Sequence, residues 1–329
     1  MFSRKVSCVI MGGLGNQLFQ IFTIMALSIK LKRSFIFPNK KLTGDKRQDI
    51  YWDTLFTELK KNTFDISINK LRLPMYKETT FHYNDEMHKH PLITSSLNGV
   101  VLFGYFHSYK YFERETNQII KYMKLNEKKQ NMKSILNSVC GNKHAISLHF
   151  RLGDYKSLTS HYTLVNIDYY ANSISYIVNS LALLSPIPGL ASVVAPISEL
   201  KSTLDTISSE CIVLYFCEDN DLAEVEHKIH YLRNRFSSMV FQRAPTSYVN
   251  KNSKNTPIKI EDWQSMLLMS CCSHNIIANS TFSWWSAYLN TNPNKIVCYP
   301  DNWFGPALPT HTTNDLCPSS WTKIKWTNQ

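Results

Sequence analysis

The sequence predicts an α/β fold with two domains. Short apolar runs alternate with segments of helical length, and several of these runs end directly in loops rich in polar side chains. The chain has 329 residues, more than one hydrophobic core usually serves. Its 43% hydrophobic and 19% charged residues are typical of a globular protein. We place one domain at 1–143 and the other at 144–329.

The first domain opens with a strand, a glycine-rich loop and a helix. Val6–Met11 is an apolar strand, Gly12–Gln17 is the loop, and Leu18–Leu31 has helical length and spacing. Further strands are predicted at Ser34–Phe37 and Val100–Tyr105. The loop lacks the third glycine of the dinucleotide-binding fingerprint, so that function is not indicated. Its glycines still let a ligand approach the backbone closely.

The second domain repeats the pattern of strands followed by polar loops. Its predicted strands are Ala145–Phe150, Ile212–Phe216, Ile276–Ala278 and Ile296–Tyr299. A helix is predicted over Trp263–Cys272, and a pair of helices over Glu113–Leu136 ends the first domain. In open α/β sheets, ligands bind outside the carboxyl ends of the strands. The loops after the first three of these strands therefore predict one shared site.

The loop after Ala145–Phe150 carries His149, Arg151 and Asp154. His149 and Arg151 are two residues apart and would share a face of a continuing strand. Arginine binds phosphate oxygens through paired N–H groups, and a histidine beside it can bond a base or a ribose. Asp154 can accept from backbone N–H groups or act as a base. A structural ion pair between Arg151 and Asp154 is the alternative.

The loop after Ile212–Phe216 contains Asp219 and Asp221, spaced as D-x-D. Three interpretations stay open. The two carboxylates could hold a divalent cation against a nucleotide-sugar diphosphate. One of them could accept from a guanine base. One could also simply cap the helix that begins near Leu222.

The loop after Ile276–Ala278 is the most informative stretch, Asn279–Trp285. It is a turn from a buried strand into a helix, and a helix N-terminus is a ready site for phosphate. Asn279, Ser280, Thr281 and Phe282 are therefore candidate phosphate-binding residues. In the competing interpretation, Asn279 or Ser283 caps the helix and the tryptophans pack in a core.

The formal net charge of +11 is distributed unevenly. Residues 1–143 hold 23 of the 36 Lys and Arg residues and 11 of the 25 acidic residues, which leaves residues 144–329 close to neutral. This asymmetry suggests an acidic partner, either an anionic membrane surface or nucleic acid. A nucleic-acid-binding protein is disfavoured, because the polar strand-end loops lie in the near-neutral half. Salt-dependent RNA binding would separate that interpretation from an enzyme.

The cysteine spacing and the N-terminal sequence limit which metal sites, redox motifs and cellular locations are expected. The eight cysteines contain no C-x-x-C pair, so neither a zinc site nor a redox motif is indicated. The N-terminus does not read as a signal peptide, so we expect a cytoplasmic location. An uncharged stretch at 169–198 includes Leu181–Pro196, whose three prolines predict a loop rather than a spanning helix.

Four motifs in chain order resemble glycosyltransferase family 11, the α-1,2-fucosyltransferases of bacterial type. They are Gly12–Gln20, His149–Tyr155 (the family's H-x-R-R-G-D-Y), Phe216–Asp219 (its F-S-D-D) and the final motif within Asp262–Ala287. Two positions depart from the pattern. Leu152 replaces the second arginine, and Cys217 replaces the serine.

The resemblance implies a GT-B fold, with two Rossmann-like domains facing a cleft and GDP held mainly by the second. The donor would be GDP-β-L-fucose and the acceptor a β-galactoside, for example a lipid-linked one. The reaction would be inverting and would need no metal and no cofactor. Arg151 would clamp the diphosphate, Asp154 would be the base, and His149 and Asp219 would contact guanosine. Asn16 and Gln17 would contact fucose or the diphosphate.

Two further expectations concern partners and location. The basic first domain would hold the enzyme weakly at an anionic membrane surface, on the inner face. Nucleic acid is not an expected partner. The enzyme alternative is a metal-dependent nucleotide-sugar transferase that uses Asp219 and Asp221, which activity in excess chelator would distinguish.

Overall fold

The computed structural model describes residues 4–40, 50–65, 73–96, 98–184, 197–249 and 256–326. Contacts divide the chain into two units, Met1–Gln130 with Leu308–Ser319, and Asn131–Ala307 with Ser320–Gln329. This division differs from the predicted boundary at 143/144. It falls within a continuous helix, Leu125–Cys140, and a short segment near the C-terminus returns to the first unit. Neither feature has a composition change that would mark it in the sequence.

The first unit is built on parallel strands. They are β1 (Val6–Cys8), β2 (Phe37–Pro38), β3 (Thr63–Phe64), β4 (Met75–Lys77) and β5 (Val100–Phe103). Strands β1 and β4 pair with the two sides of β5, and β2 pairs with β3. A parallel bridge between Val6 and Phe35 places the approach to β2 beside β1. The carboxyl ends of β1, β4 and β5 therefore lie at one edge of this sheet.

Helix α1 (Leu14–Leu31) is the central helix of the first unit. It begins four residues earlier than predicted, because Gly13 takes the N-cap position and the glycine-rich loop is short. Its length and hydropathy would suit a membrane span, but 78% of the apolar window is buried inside the protein. Such burial is typical of a core helix. The shorter helices α2 (Pro91–Thr94) and α3 (Thr116–Tyr122) precede α4 (Leu125–Cys140).

The second unit contains a six-stranded, fully parallel sheet in the order β13-β12-β11-β6-β7-β8. Its strands are β6 (His144–His149), β7 (Cys211–Phe216), β8 (Val240–Arg243), β11 (His274–Ile276), β12 (Val297–Pro300) and β13 (Thr322–Ile324). A separate antiparallel hairpin joins β9 (Ser247–Val249) and β10 (Pro257–Lys259). Numbered along this unit, the order is 3-2-1-4-5-6, that of the Rossmann fold. The prediction of an α/β fold with parallel sheets is confirmed.

Five helices connect these strands in the described part of the second unit. They are α5 (Ile167–Leu184), α6 (Ile197–Ser209), α7 (Leu222–Arg235), α8 (Asp262–Met269) and α9 (Thr281–Tyr288). Most of the loop predicted over Leu181–Pro196 lies outside the described residues, and α5 continues to Leu184.

Strand β6 is buried on both faces, which positions its carboxyl end. Ile146 and Leu148 pack into the cluster formed with α5 and α7. On the other face, Ser147 Oγ accepts a hydrogen bond of 2.7 Å from Asn275 Nδ2 of β11. Strands covered on both faces have nearly continuous apolar sequences, and β7 follows this rule, whereas β6 includes the buried polar residues Ser147 and His149.

Candidate active site

The candidate site lies where the strand order of the second unit reverses. Strands β6 and β11 are neighbours there, with Leu148 opposite Ile276. The chain leaves β6 toward β7 and leaves β11 toward β12, so their connections diverge. Ligands of doubly wound sheets bind in the crevice at such a switch point. The crevice is bordered by the loop that begins at Phe150 and by the turn that begins at Ile277.

Arg151 is the centre of this site. Its guanidinium donates to the carboxylates of Asp154 and Glu218, and it stacks over the ring of Tyr155 at 5.0 Å. The Arg151 side chain is 26% exposed, whereas both carboxylates are more than half exposed. The hydroxyl of Tyr155 donates to Asn279 O at 3.2 Å. The structure therefore brings the three predicted loops together through one arginine and one tyrosine.

Asp221 stabilises the loop that carries Arg151. This carboxylate is 5% exposed, accepts from Gly153 N at 2.7 Å and pairs with Lys156 at 2.9 Å. Lys156 also pairs with Glu224. Gly153 has a φ of +33°, and a Cβ there would stand 3.1 Å from a Glu218 carboxylate oxygen. The loop conformation thus depends on glycine and on the buried carboxylate together.

The two carboxylates of the D-x-D sequence face different partners. The Asp219 side chain is 82% exposed and pairs with Arg243, the last residue of β8. Asp221 turns inward to Gly153 and Lys156. Asp221 occupies the N-cap position of α7, but its side chain makes no capping bond there. Among the described residues, no group of three or more His, Cys, Asp or Glu is arranged to hold a metal ion.

His149 lies at the end of β6 against α9. Its ring packs on Phe282 with centroids 5.6 Å apart, and its Nδ1 has no hydrogen-bond partner within the described chain. Burial and the neighbouring Arg151 lower the pKa of His149 to about 3. The imidazole is therefore neutral near pH 7, so it can donate or accept a hydrogen bond but carries no charge.

The turn into α9 divides the predicted donor-binding residues into two groups. Asn279 is fully buried, and its amide donates to Thr163 O at 2.8 Å and to Trp303 O at 2.9 Å. This geometry favours a structural role for Asn279 over a donor contact. Ser280 is the N-cap and is nearly buried, whereas Thr281 and Phe282 are partly exposed in the first turn of α9. First-turn N–H groups lack intrahelical partners and favour anions.

The remaining two predicted residues lie in the first unit, at the start of α1. Gln17 is fully buried and donates to Gly12 O at 3.1 Å, so it shapes the glycine-rich turn. Asn16 is half-buried, and its Oδ1 lies 3.1 Å from His107 Nε2. Gly12 has a φ of +81°, and a Cβ there would collide with the Asn16 amide at 2.5 Å. The glycine therefore serves both the turn and the placement of Asn16.

Several contacts of the site were not predicted from the sequence. Neither the ion pair of Arg151 with Glu218 nor the contacts of Asp221 with Gly153 and Lys156 was predicted. One signal could have found the first, because Glu218 follows β7, the direct neighbour of β6. No sequence period marks His107, which lies in the aromatic-rich part of the first unit.

Comparison with known proteins supports the resemblance seen in the motifs. Residues 191–325 match the model of glycosyl transferase family 11. This part of the chain is therefore similar to glycosyltransferase family 11. The matched range includes Asp219 and the turn at Asn279–Phe282. It begins after Asn16 and Arg151, so it includes neither of them. This similarity agrees with the prediction of a glycosyltransferase and counts against the nucleic-acid-binding interpretation.

Two relatives from Escherichia coli are similar to this chain over nearly its whole length. One is the O-antigen biosynthesis glycosyltransferase WbnK, 28% identical over 95% of this chain and 98% of its own. The other is an alpha-1,2-colitosyltransferase, 24% identical over 95% of this chain and 97% of its own.

Among solved structures, Arabidopsis thaliana FUT1, as a mutant in complex with GDP, is similar at a TM-score of 0.44. It is 11% identical, over 90% of this chain and 70% of that one. The fold assignment rests on the strand order itself rather than on this similarity.

Proposed function

We propose that this protein is a family 11 glycosyltransferase that transfers L-fucose from GDP-β-L-fucose to the 2-hydroxyl of a terminal β-galactoside, with inversion, in the synthesis of a bacterial O-antigen. The observation that carries the proposal is Arg151, a guanidinium at the switch point of a Rossmann-type sheet. The name of the first relative supports the O-antigen context, and the α-1,2 linkage in the name of the second supports the position of attack.

Departure of GDP is the electrostatic problem of this reaction. In a single displacement at the anomeric carbon, negative charge develops on the β-phosphate as the glycosidic bond breaks. Arg151 and the first turn of α9 are placed to receive that charge. Preorganised donors of this kind are worth several kcal/mol in a site that excludes water.

Arg151 must exchange partners when the diphosphate binds. Its guanidinium is occupied by Asp154 and Glu218, whose side chains are both more than half exposed. A diphosphate carries more charge than either carboxylate and can accept from two guanidinium nitrogens at once. Its binding would release Asp154, and a carboxylate freed from its ion pair is a better proton acceptor. We therefore keep Asp154 as the proposed base.

The nucleoside would be recognised by one neutral and one acidic side chain. Neutral His149, packed on Phe282, would bond guanosine through its imidazole. Asp219 remains the proposed acceptor for the guanine N–H groups, and it would leave Arg243 to do so. Asn16 would contact the fucose or the diphosphate. Because Arg151 already supplies positive potential, we propose that no metal and no cofactor are needed.

A second donor is worth testing because one relative is named a colitosyltransferase. Colitose differs from L-fucose by the absence of the 3-hydroxyl. A site that hydrogen-bonds this hydroxyl discriminates strongly against the deoxy sugar, whereas a site without such a contact does not. Fucose remains the first choice from the motifs, with colitose as the alternative.

The decisive experiment is a donor panel with β-galactoside acceptors. Purified enzyme would be given GDP-fucose, GDP-colitose, GDP-mannose and UDP-galactose, and the linkage of the product would be read by NMR. We expect an α-1,2-fucosylated galactoside. Exclusive use of GDP-colitose would replace the donor while keeping the reaction class. Use of a UDP-sugar alone would contradict the proposal.

Localisation follows from the same proposal. O-antigen repeats are built on lipid carriers, so the acceptor would be a lipid-linked galactoside at the cytoplasmic face of the membrane. The net charge of +12 in residues 1–143 would concentrate the enzyme there.

A further inference from the structure

A second cluster of polar groups lies at the carboxyl edge of the first-unit sheet, after β1, β4 and β5. Its members are Asn16, Glu78 and His107. The Asn16 side chain is half-buried at the rim, and the His107 side chain is buried. The family match does not reach this region.

His107 fixes the orientation of the Asn16 amide. Its Nε2 lies 3.1 Å from Asn16 Oδ1, an atom that can only accept, so the ring nitrogen must donate. The amide nitrogen lies against Gly12, in the space that a Cβ would need. The imidazole is also held in place by its neighbours. Tyr105 stacks on it at 5.1 Å, and Phe19 meets it edge-on at 5.0 Å.

Glu78 holds the turn that presents His107. Its Oε2 accepts from Tyr105 N at 2.8 Å and from Phe106 N at 3.0 Å. Phe106 has a φ of +56°, an unusual conformation for a residue with a side chain. Gly104 makes room for the carboxylate, since a Cβ there would lie 2.4 Å from Glu78 Cβ. Two backbone hydrogen bonds to one carboxyl oxygen thus hold a strained turn in one conformation.

We propose that His107 is a positioning residue for Asn16, with Glu78 holding the turn that carries it. This proposal rests on the proposed function, in which Asn16 contacts the transferred sugar or the diphosphate. The alternative is that the His107 ring merely fills an aromatic cluster made by Tyr105, Phe19 and Phe81. The two readings differ in whether the imidazole N–H matters or the ring volume alone.

His107→Phe separates these readings, because it keeps a ring of similar size and removes the N–H. The test is a double-mutant cycle of kcat and KM for donor with wild type, Asn16→Ala, His107→Phe and the double variant. We expect His107→Phe to lower kcat roughly tenfold, the effect of one lost hydrogen bond to a working group. The double variant should be no slower than Asn16→Ala. His107→Gln, which can still donate to Asn16, should recover part of the rate.

Two measurements keep the result interpretable. Thermal unfolding checks that each variant folds, and GDP affinity, which we assign to the second unit, should stay within about threefold of wild type. Full activity of His107→Phe would overturn the proposal in favour of ring packing. Losses that multiply in the double variant would overturn it as well, since the two residues would then act independently.

The proposed function and this inference can fail separately. If wild type accepts another donor, the fucose assignment fails and the same cycle is run with that donor. Coupling between Asn16 and His107 in that reaction would still support the positioning role, and its absence would refute it.

Discussion

Two sheets of this protein each carry a polar cluster at the carboxyl edge, and the two clusters differ in how exposed their charged groups are. After β6 and β7, Arg151 forms ion pairs with Asp154 and Glu218, and all three side chains are at least partly exposed. After β4 and β5, Glu78 and His107 are held in a desolvated setting. Burial lowers the pKa of His107 to about 3, with His311 contributing, and raises the pKa of Glu78 to about 7.

The contrast indicates two different tasks. A charged ligand such as a diphosphate is best met by a cation whose own partners can be exchanged at low cost, because exposed ion pairs are weak. A group that must be held in one orientation is better fixed by buried hydrogen bonds, which are expensive to leave unmade. The second unit therefore suits charge stabilisation, and the first suits precise placement.

The largest expected effect is at Arg151. Arg151→Ala should lower transfer by about 100- to 1,000-fold, since it removes the cation that would meet the leaving group. Arg151→Lys should recover little, because an ammonium cannot donate to two oxygens in the planar arrangement of a guanidinium. Initial rates with GDP-fucose measure the effect. Retention of more than about a tenth of the wild-type rate by Arg151→Ala would show that the assignment is wrong.

Glu218→Gln is the matched control for Arg151. It removes a carboxylate that competes with the diphosphate while keeping the shape of the side chain. We expect it to bind GDP at least as tightly as wild type in calorimetry. Weaker binding would mean that Glu218 itself contacts the nucleotide.

Asp221 comes next, because it supports Arg151 without being exposed. Asp221→Ala leaves Gly153 N without an acceptor and should lower the free energy of unfolding by about 2 kcal/mol. Activity should fall roughly tenfold as the loop loosens. Asp221→Asn keeps an acceptor for Gly153 and should recover most of the stability. Chemical denaturation and rate assays on both variants test this, and equal behaviour of the two would contradict it.

Glu78 should produce a smaller effect that depends on pH. Its folded-state pKa of about 7 lies above the ordinary value of 4.5, so its protonated form favours folding. That contribution is fully present below about pH 4.5 and is lost as the pH rises through 7. Tyr76 and Tyr111 feel the same carboxylate but titrate at higher pH.

The measurement is the unfolding free energy of Glu78→Gln and wild type between pH 5 and pH 8.5. Glutamine lacks the charge, so the variant should gain about 1–3 kcal/mol relative to wild type across this range. A difference that does not change with pH would show that Glu78 titrates normally.

Weak membrane docking tests whether the basic charge of the first unit acts outside the site. Each Lys or Arg near an anionic surface contributes about 1 kcal/mol before screening, and scattered charges will not all reach it. We expect co-sedimentation with phosphatidylglycerol vesicles at low salt and release on the order of 0.5 M salt. Retention at high salt would indicate apolar contact instead, and no binding at low salt would refute docking.

No change at all is expected on removing divalent cations. Asp219 and Asp221 face different partners, Arg243 and Lys156, so neither is directed at a shared ion in this arrangement. Rates in excess EDTA should match those without it. Activity that disappears and returns with Mn²⁺ or Mg²⁺ would favour the metal-dependent alternative and would assign the charge stabilisation to a cation other than Arg151.

The sequence alone determined the α/β class and which loops of the second unit meet at the candidate site. Apolar strands ending in polar loops are a local pattern, and parallel strands bring such loops to one edge regardless of detail. This is why His149, Arg151 and the start of α9 could be predicted as neighbours. Domain limits were less predictable, because α4 crosses the division as an unbroken helix.

Tertiary structure decided which polar group meets which partner. Arg151 contacts Glu218, which is 67 residues away in the sequence, and His107 contacts Asn16, which is 91 residues away. At such sequence separations, local residue spacing cannot predict which side chains will meet. The short helical turn at Asp219–Asp221 sends two similar carboxylates to different partners. Burial likewise turned Gln17 and Asn279 inward, where their amides bond backbone carbonyls. Hydrogen-bond demand inside a packed core assigns such roles, and it is known only once the chain is folded.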